Sequence, residues 1–185
     1  MKQSLCSLFI MLLVLAAAGC SNRKEAKTVV AAGEFSADST IGSLQRMNTY
    51  DFSDTITLDK HLYCYHIHRE AVDSLPQVKD EEGNTYADNV YTLSIERNGK
   101  SFFNKKFAKR NFMHLLSDEL RKGGLLDGMM FDSTLPGLNF AVSVSLPQSD
   151  MLEPLLLYID DNGAMSIKRD TRVDMEQDDD ADNDI

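Results

Sequence analysis

From Val90 to Arg97 the chain alternates, with Val90, Thr92, Ser94 and Glu96 on one parity and Tyr91, Leu93 and Ile95 on the other. A period of two sends successive side chains to opposite faces of a strand, so this segment is predicted to be a half-buried strand. Asn98-Gly99 follows, a pair suited to the positive φ angles of a two-residue hairpin turn. Ser101–Ala108 returns as the partner strand, anchored by Phe102, Phe103 and Phe107. Leu138–Leu146 repeats the rhythm, setting Leu138, Phe140, Val142, Val144 and Leu146 against Asn139, Ala141, Ser143 and Ser145. That pattern predicts a strand with one buried and one wet face. Thr55–Leu58 alternates, and His61–Arg69 is rich in aromatic and β-branched residues. Leu125–Phe131 is a further candidate, interrupted at Gly128, and Pro154–Asp160 turns at Asp161-Asn162-Gly163 to pair with Met165–Arg169.

One segment departs from the period of two. Phe112, Leu115, Leu116, Glu119 and Leu120 have helical spacing, Met113 lies beside them, and Lys122 with Gly123-Gly124 supplies a basic last turn and a stop. The spacing predicts a helix over about 109–122, lying across one end or face of a sheet. Short strands, two tight hairpins and one helix define a mainly β fold, an antiparallel β-sandwich or small barrel with one α-helix inserted near residues 109–122. No internal repeat is visible.

The two ends follow neither period. After Met1-Lys2-Gln3, an apolar run from Leu5 to Leu15 is broken only by Cys6 and Ser7, and Ala16, Ala17, Ala18 and Gly19 lead to Cys20. Charge, apolar stretch and small residues in that order form a secretory signal peptide over residues 1–19, too short to serve as a spanning helix. Cys20 after these small residues resembles the bacterial lipobox, which implies acylation of its thiol and a mature N-terminus there. Ala17 departs from that pattern, where a larger aliphatic residue is usual, and plain secretion with Cys20 unmodified is the alternative. Each buried acyl methylene contributes about 0.8 kcal/mol, so a lipidated Cys20 anchors the chain to a membrane without an amphipathic helix. Residues 20–50 are small and polar enough for a flexible tether, 51–172 hold one β domain, and 173–185 form an acidic tail predicted to be disordered. The expected location is the cell envelope, lipid-anchored in the outer membrane and facing the periplasm or the surface.

Charge narrows the partners. The chain has 19 Lys+Arg and 29 Asp+Glu, and loss of residues 1–19 removes only Lys2, leaving 18 against 29. Such a balance excludes nucleic acid, whose phosphates require a cationic face. It favours a basic protein, with an envelope or sugar ligand as the other possibility. Processing leaves Cys20 and Cys64, so no internal disulfide is available and the domain must stand on its core.

Candidate chemistry centres on Cys64, His66 and His68. On a strand these share one face, with His61, Tyr63, Tyr65 and Ile67 on the other, and a thiolate with two imidazoles suits zinc or copper. Three alternate positions on one strand diverge, however, so the plainer expectation puts Cys64 in an apolar core as an inert thiol, with the two histidines towards a wetter end. His114 falls in the predicted helix, where Cys64, the only thiol available, is its candidate nucleophile, and abundant Ser and Asp leave a triad that spacing alone does not reveal as the other option. Asp80-Glu81-Glu82-Gly83-Asn84, with Asp88 beyond, offers calcium oxygens but lacks the spacing of a helix–loop–helix site and reads as a solvated turn. Asp178, Asp180, Asp182 and Asp184 alternate without the glycine and terminal glutamate of such a site. No nucleophile elbow, zinc-helix motif or phosphate loop occurs. No catalytic residue and no cofactor is therefore assigned.

The order of several short segments is more informative than any of them alone. Tyr50-Asp51-Phe52-Ser53-Asp54-Thr55, Ile67-His68-Arg69-Glu70, Asp73-Ser74-Leu75-Pro76 and Ala87-Asp88-Asn89 are followed by Phe102-Phe103-Asn104-Lys105. Gly128-Met129, Ala141-Val142-Ser143-Val144 and Pro147-Gln148-Ser149-Asp150 complete the series. Over about residues 51–172 this order resembles a family of Bacteroidetes lipoproteins catalogued as domain of unknown function 4738. The resemblance implies a compact β domain on a lipid anchor and brings no activity, cofactor or catalytic residue. The function expected is that of a non-enzymatic binding or interaction module, the alternative being an envelope hydrolase or a metal-binding protein using the His66/His68 strand.

Overall fold

A computed structural model describes residues 43–172; residues 1–42, with Cys20, and the acidic tail of residues 173–185 lie outside the described residues. The fold grows from tight hairpins. β1 (Leu44–Gln45) enters the domain, and β2 (Tyr50–Leu58) and β3 (His61–Ala71) pair antiparallel across Asp59-Lys60, whose φ angles of 47° and 67° make a two-residue turn. β4 (Val78–Lys79) and β5 (Thr85–Tyr86) form a small hairpin to which β1 adds in parallel. β6 (Asn89–Arg97) and β7 (Lys100–Phe107) pair across Asn98-Gly99, both at positive φ as the sequence predicts. α1 (Asp118–Gly123) leads into β8 (Leu125–Phe131), β9 (Leu138–Ser145), β10 (Leu152–Ile159) and β11 (Met165–Arg169).

The larger strands make two four-stranded antiparallel sheets, β2-β3-β6-β7 and β11-β10-β9-β8. Their inner faces meet in one core. Tyr63, Tyr65 and Ile67 of β3 and Tyr91, Leu93 and Ile95 of β6 pack with Phe140, Val142 and Val144 of β9 and Leu155, Leu157 and Ile159 of β10. The result is a mainly β, sandwich-like domain without a closed barrel, which bears out the fold class expected from the sequence. A burial of about 25 cal/mol per Å² of apolar surface across this interface is the main force holding the sheets together.

Four features differ from expectation. The predicted helix over 109–122 is a 3₁₀ turn at Lys109–Asn111, a stretch of turns, and a short helix α1 capped by Ser117. Phe112, Leu116 and Leu120 are all buried, so the apolar stripe is real. The backbone between them is drawn off the helix because Arg121 Nε donates to Met113 O (2.8 Å) and Arg169 Nε to Leu115 O (2.9 Å). β9 is buried on both faces through Val144: Asn139 donates to Pro136 O of the preceding loop (2.8 Å) and Ser143 to Asp127 (2.6 Å), filling the side expected to be wet. Gly128 marks a bulge at Asp127 and not an interruption of β8. Finally, ordered structure begins before residue 51, with β1 paired to β5, Met47 3% exposed, and Arg46 bidentate on Asp73 (2.9 and 2.8 Å).

A buried polar seam joins the sheets at one end. Tyr91 Oη donates to Asp127 O (2.6 Å), and Asp88 Oδ1 accepts from the N–H groups of Asn89 (2.8 Å) and Leu126 (3.0 Å). Burial pushes the Tyr91 hydroxyl up to about 12, keeping it a neutral donor throughout the physiological range. Tyr91→Phe is expected to cost about 1 kcal/mol, since Asp127 O then loses its 2.6 Å side-chain donor and the remaining side-chain contact, from Arg69, is long at 3.4 Å. A shift in the urea unfolding midpoint measures it; an unchanged midpoint would show that the bond adds nothing net.

Candidate functional site

A concavity with several carboxylates on its walls lies beside the small hairpin. The β4–β5 turn is held by one carboxylate: Asp80 accepts from the Asn84 N–H (2.8 Å), the Asn84 side-chain amide (2.8 Å) and Tyr86 Oη (2.9 Å), and Gly83 supplies a φ of 88°. Burial pushes the Asp80 carboxyl up, but the donors on Asn84 and Tyr86 outweigh it and hold the group below the usual range. Opposite stands α1, started by Ser117 Oγ accepting from the Leu120 N–H (3.3 Å) with Asp118 and Glu119 in its first turn. The third wall is the β9–β10 turn, where Gln148 adopts a φ of 56°.

Between these walls is a cleft of about 690 Å³. Asp80, Glu81, Glu82, Asp118 and Glu119 line it against only two cations, Lys79 and Lys122. Leu146, Pro147 and Met151 give it an apolar side, and Met151 is 41% exposed. Asp80 is fully engaged by its own turn, and Asp118 pairs with Arg121 (2.9 Å). Glu81, Glu82 and Glu119 are exposed. The arrangement suits a cationic ligand with an apolar portion. Among the described residues that line it, the Ser149 hydroxyl accepts from the Met151 N–H (3.1 Å) and has no hydrogen bond to an orienting base.

The residues singled out from sequence fall elsewhere. Cys64, His66 and His68 do share the outer face of the first sheet, with Tyr63, Tyr65 and Ile67 facing the core. Cys64 is exposed, which corrects the expectation of a core thiol: the aromatic neighbours that implied an apolar site point to the opposite face. Asp51, on the adjacent β2, brings the two histidines together, its Oδ1 meeting His66 Nε2 at 3.1 Å and His68 Nδ1 at 2.8 Å. The His68 bond, with His66 behind it, holds the Asp51 carboxyl below its ordinary value. Cys64 faces Thr55 and Glu96 in neighbouring strands and no part of this trio. Among the described residues, no group of three or more His, Cys, Asp or Glu side chains has a metal-holding geometry.

His114 is exposed in the turn region before α1, and no described hydrogen bond links it to Cys64. Asp88 is 3% exposed and ties β6 to β8, so it cannot join the Asp80–Asn84 turn as a calcium oxygen. That turn is closed by its own hydrogen bonds, in keeping with the solvated-turn expectation. Cys20 and Asp178 to Asp184 lie outside the described residues. Sequence reasoning missed Asp118 and Glu119 as partners of the hairpin, because only the tertiary fold brings α1 beside β4.

A family model described as a domain of unknown function (DUF4738) matches residues 32–167. No curated protein matches the chain.

Proposed function

We propose that this chain, which belongs to the family described as a domain of unknown function (DUF4738), is a lipid-anchored module of the cell envelope that works by binding a cationic ligand. The observation that carries the binding half is the acidic cleft, five carboxylates against two lysines around an apolar side. The anchoring half rests on the order Lys2, apolar run, small residues and Cys20, together with a net charge of −10 that leaves little attraction to anionic lipid by protein surface alone. Attachment to a Bacteroidetes envelope is what the family resemblance implies and is part of the proposal.

Charge steering makes the first prediction of this reading. A fluorescent pentalysine peptide is expected to bind the full-length chain in detergent, with affinity falling about tenfold or more between low and moderate salt. The triple substitution Glu81→Gln, Glu82→Gln, Glu119→Gln is expected to weaken it by a similar factor, each carboxylate being exposed and contributing modestly alone. Affinity indifferent to both salt and the triple variant would remove the cleft from consideration. Mass spectrometry of the mature N-terminus checks the anchor, and an unmodified Cys20 thiol would exclude it. Stoichiometric zinc or copper on the purified protein would instead favour a metal role for the His66/His68 strand.

A further inference from the structure

We propose that the open edge of β2 is a docking strand for an extended, basic segment of a partner protein. An unpaired edge presents a row of backbone donors and acceptors, and proteins ordinarily blunt it with lysines, bulges, prolines or brevity. Three of the four outer edges of the sandwich are blunted in these ways. β7 carries Lys100, Lys105 and Lys106 and a register shift opposite Ile95/Glu96. β8 has its bulge at Asp127. β11 has five residues and ends in Lys168-Arg169.

β2 has none of these devices. Its nine residues, YDFSDTITL, contain no lysine, arginine, proline or glycine, and its register with β3 runs unbroken from Tyr50 to Leu58. Its other side pairs with no strand among the described residues. The Thr55 N–H is accepted by the neighbouring Asp54 carboxylate (2.7 Å), so this donor is met by a short side chain that an incoming carbonyl can displace. On the core-side parity, Tyr50 and Phe52 remain 40% and 41% exposed, their rings nearly parallel at 6.3 Å. They offer apolar contact to alternate side chains of an added strand, which is how strand addition gains specificity.

Charge chooses the occupant. β2 brings Asp51 on the outer face, Asp54 on the parity of Tyr50 and Phe52, and no cation of its own, so lysine or arginine on the outer parity of an added strand would pair favourably with Asp51 while its apolar residues meet the two rings. A second copy of β2 would bring two more carboxylates to the same seam, between chains of net charge −10 each. The occupant is therefore a foreign extended segment with basic residues alternating with apolar ones. This inference goes beyond the cleft reading and stands without it.

The test uses the full-length chain in detergent and two blocked heptapeptides, one alternating lysine with valine and one alternating glutamate with valine. The lysine peptide is expected to bind at least tenfold more tightly and to slow amide exchange in residues 50–58. Thr55→Pro removes a donor that β3 does not use, a position where an edge strand tolerates proline, and is expected to cost at least tenfold in affinity. In the Glu81/Glu82/Glu119 triple variant the lysine–valine peptide is expected to slow amide exchange in residues 50–58 as it does in the parent, which separates this edge from the cleft. Equal binding of both peptides, absence of binding, protection confined to the cleft, or a dimer that Thr55→Pro dissolves would each overturn the proposal. If Thr55→Pro does not fold, the exchange pattern of the parent chain decides alone.

Discussion

Replacing Arg172 with alanine is expected to lower the unfolding free energy at neutral pH by about 2–3 kcal/mol. This one guanidinium donates to Asp132 Oδ2 (2.6 Å), to both carboxylate oxygens of Asp170 (2.8 and 2.6 Å) and to Thr134 Oγ1 (2.9 Å). Asp132 follows β8 and Asp170 follows β11, so the side chain bridges the two outer strands of one sheet. The Asp132 and Asp170 side chains are 1% and 9% exposed, and alanine would leave two buried like charges without a cation. The estimate stays below the roughly 3–5 kcal/mol of a wholly buried pair because the Arg172 side chain is 41% exposed. Burial pushes Asp132 up, but Thr134 and Arg172 more than offset it, while Asp170 is lowered first by its bonds to Arg172. Both folded carboxyls thus titrate below their unfolded values. Their contribution is fully present above an unfolded pKa of about 3.9 and is lost as pH falls through the depressed folded values. In the variant, burial without the guanidinium favours the protonated acids, so its deficit should be widest near pH 7 and shrink below about pH 4. Urea unfolding at pH 7 and pH 3.5 measures this; an equal deficit at both would show that packing, not charge, is what Arg172 supplies.

The elements that a local signal specifies are those that sequence reading found. Asn98-Gly99 can adopt two positive φ angles at little cost, so the β6–β7 hairpin is written in two residues. The same geometry at Asp59-Lys60 carries no such mark, and the tight β2–β3 turn was not anticipated, although both strands were. β8 is bounded correctly because its apolar run is short and is preceded by Gly123-Gly124, but the bulge at Asp127 depends on Ser143 and Ser145 of β9, whose hydroxyls donate to that carboxylate. The helix was overextended for a related reason. Side-chain spacing records which residues face the core, whereas the backbone between Phe112 and Ser117 is decided by Arg121 and Arg169, arginines whose reach no periodicity encodes.

Site residues divide along the same line. Alternation placed Cys64, His66 and His68 on one face correctly, but it is silent on which face is inward. Three aromatic or β-branched neighbours, Tyr63, Tyr65 and Ile67, outcompete one thiol for the core because they bury far more apolar area. Asp51 was invisible as the histidines' partner because register alone brings it opposite His68. The acidic cleft is wholly tertiary: its walls come from residues near 80, 118 and 148, and each wall read by itself is an ordinary solvated turn or helix start. Charge composition requires an excess of acids to appear on some surface, but does not say where that surface would be concave.

Gly124→Ala is expected to destabilise the domain by about 2–3 kcal/mol, far more than Gly123→Ala next to it. The reason is contact and not backbone freedom, for Gly124 has φ −79° and ψ 155°, which any residue adopts. A Cβ there would stand 2.6 Å from Leu120 O and 2.8 Å from Val144 Cγ1, backbone on one side and a buried β9 side chain on the other. The position cannot slide away, because its N–H donates to Leu120 O (2.9 Å) and its carbonyl accepts from Lys109 Nζ (2.6 Å). At Gly123 the added carbon meets only Leu146 Cδ2, at 3.0 Å, the free end of a side chain that can turn aside, so a loss under about 1 kcal/mol is expected. The glycine pair that reads in sequence as a helix stop is thus one replaceable residue and one point of closest approach between α1 and the sheet. Relaxing the clash at Gly124 requires α1 to lift from β9, and α1 carries Asp118 and Glu119. The variant should therefore lose pentalysine affinity under conditions where it remains folded, while Gly123→Ala keeps it. Unfolding midpoints and peptide titrations on the two variants decide the matter: equal midpoints would mean that the helix and sheet have more room than the contacts allow.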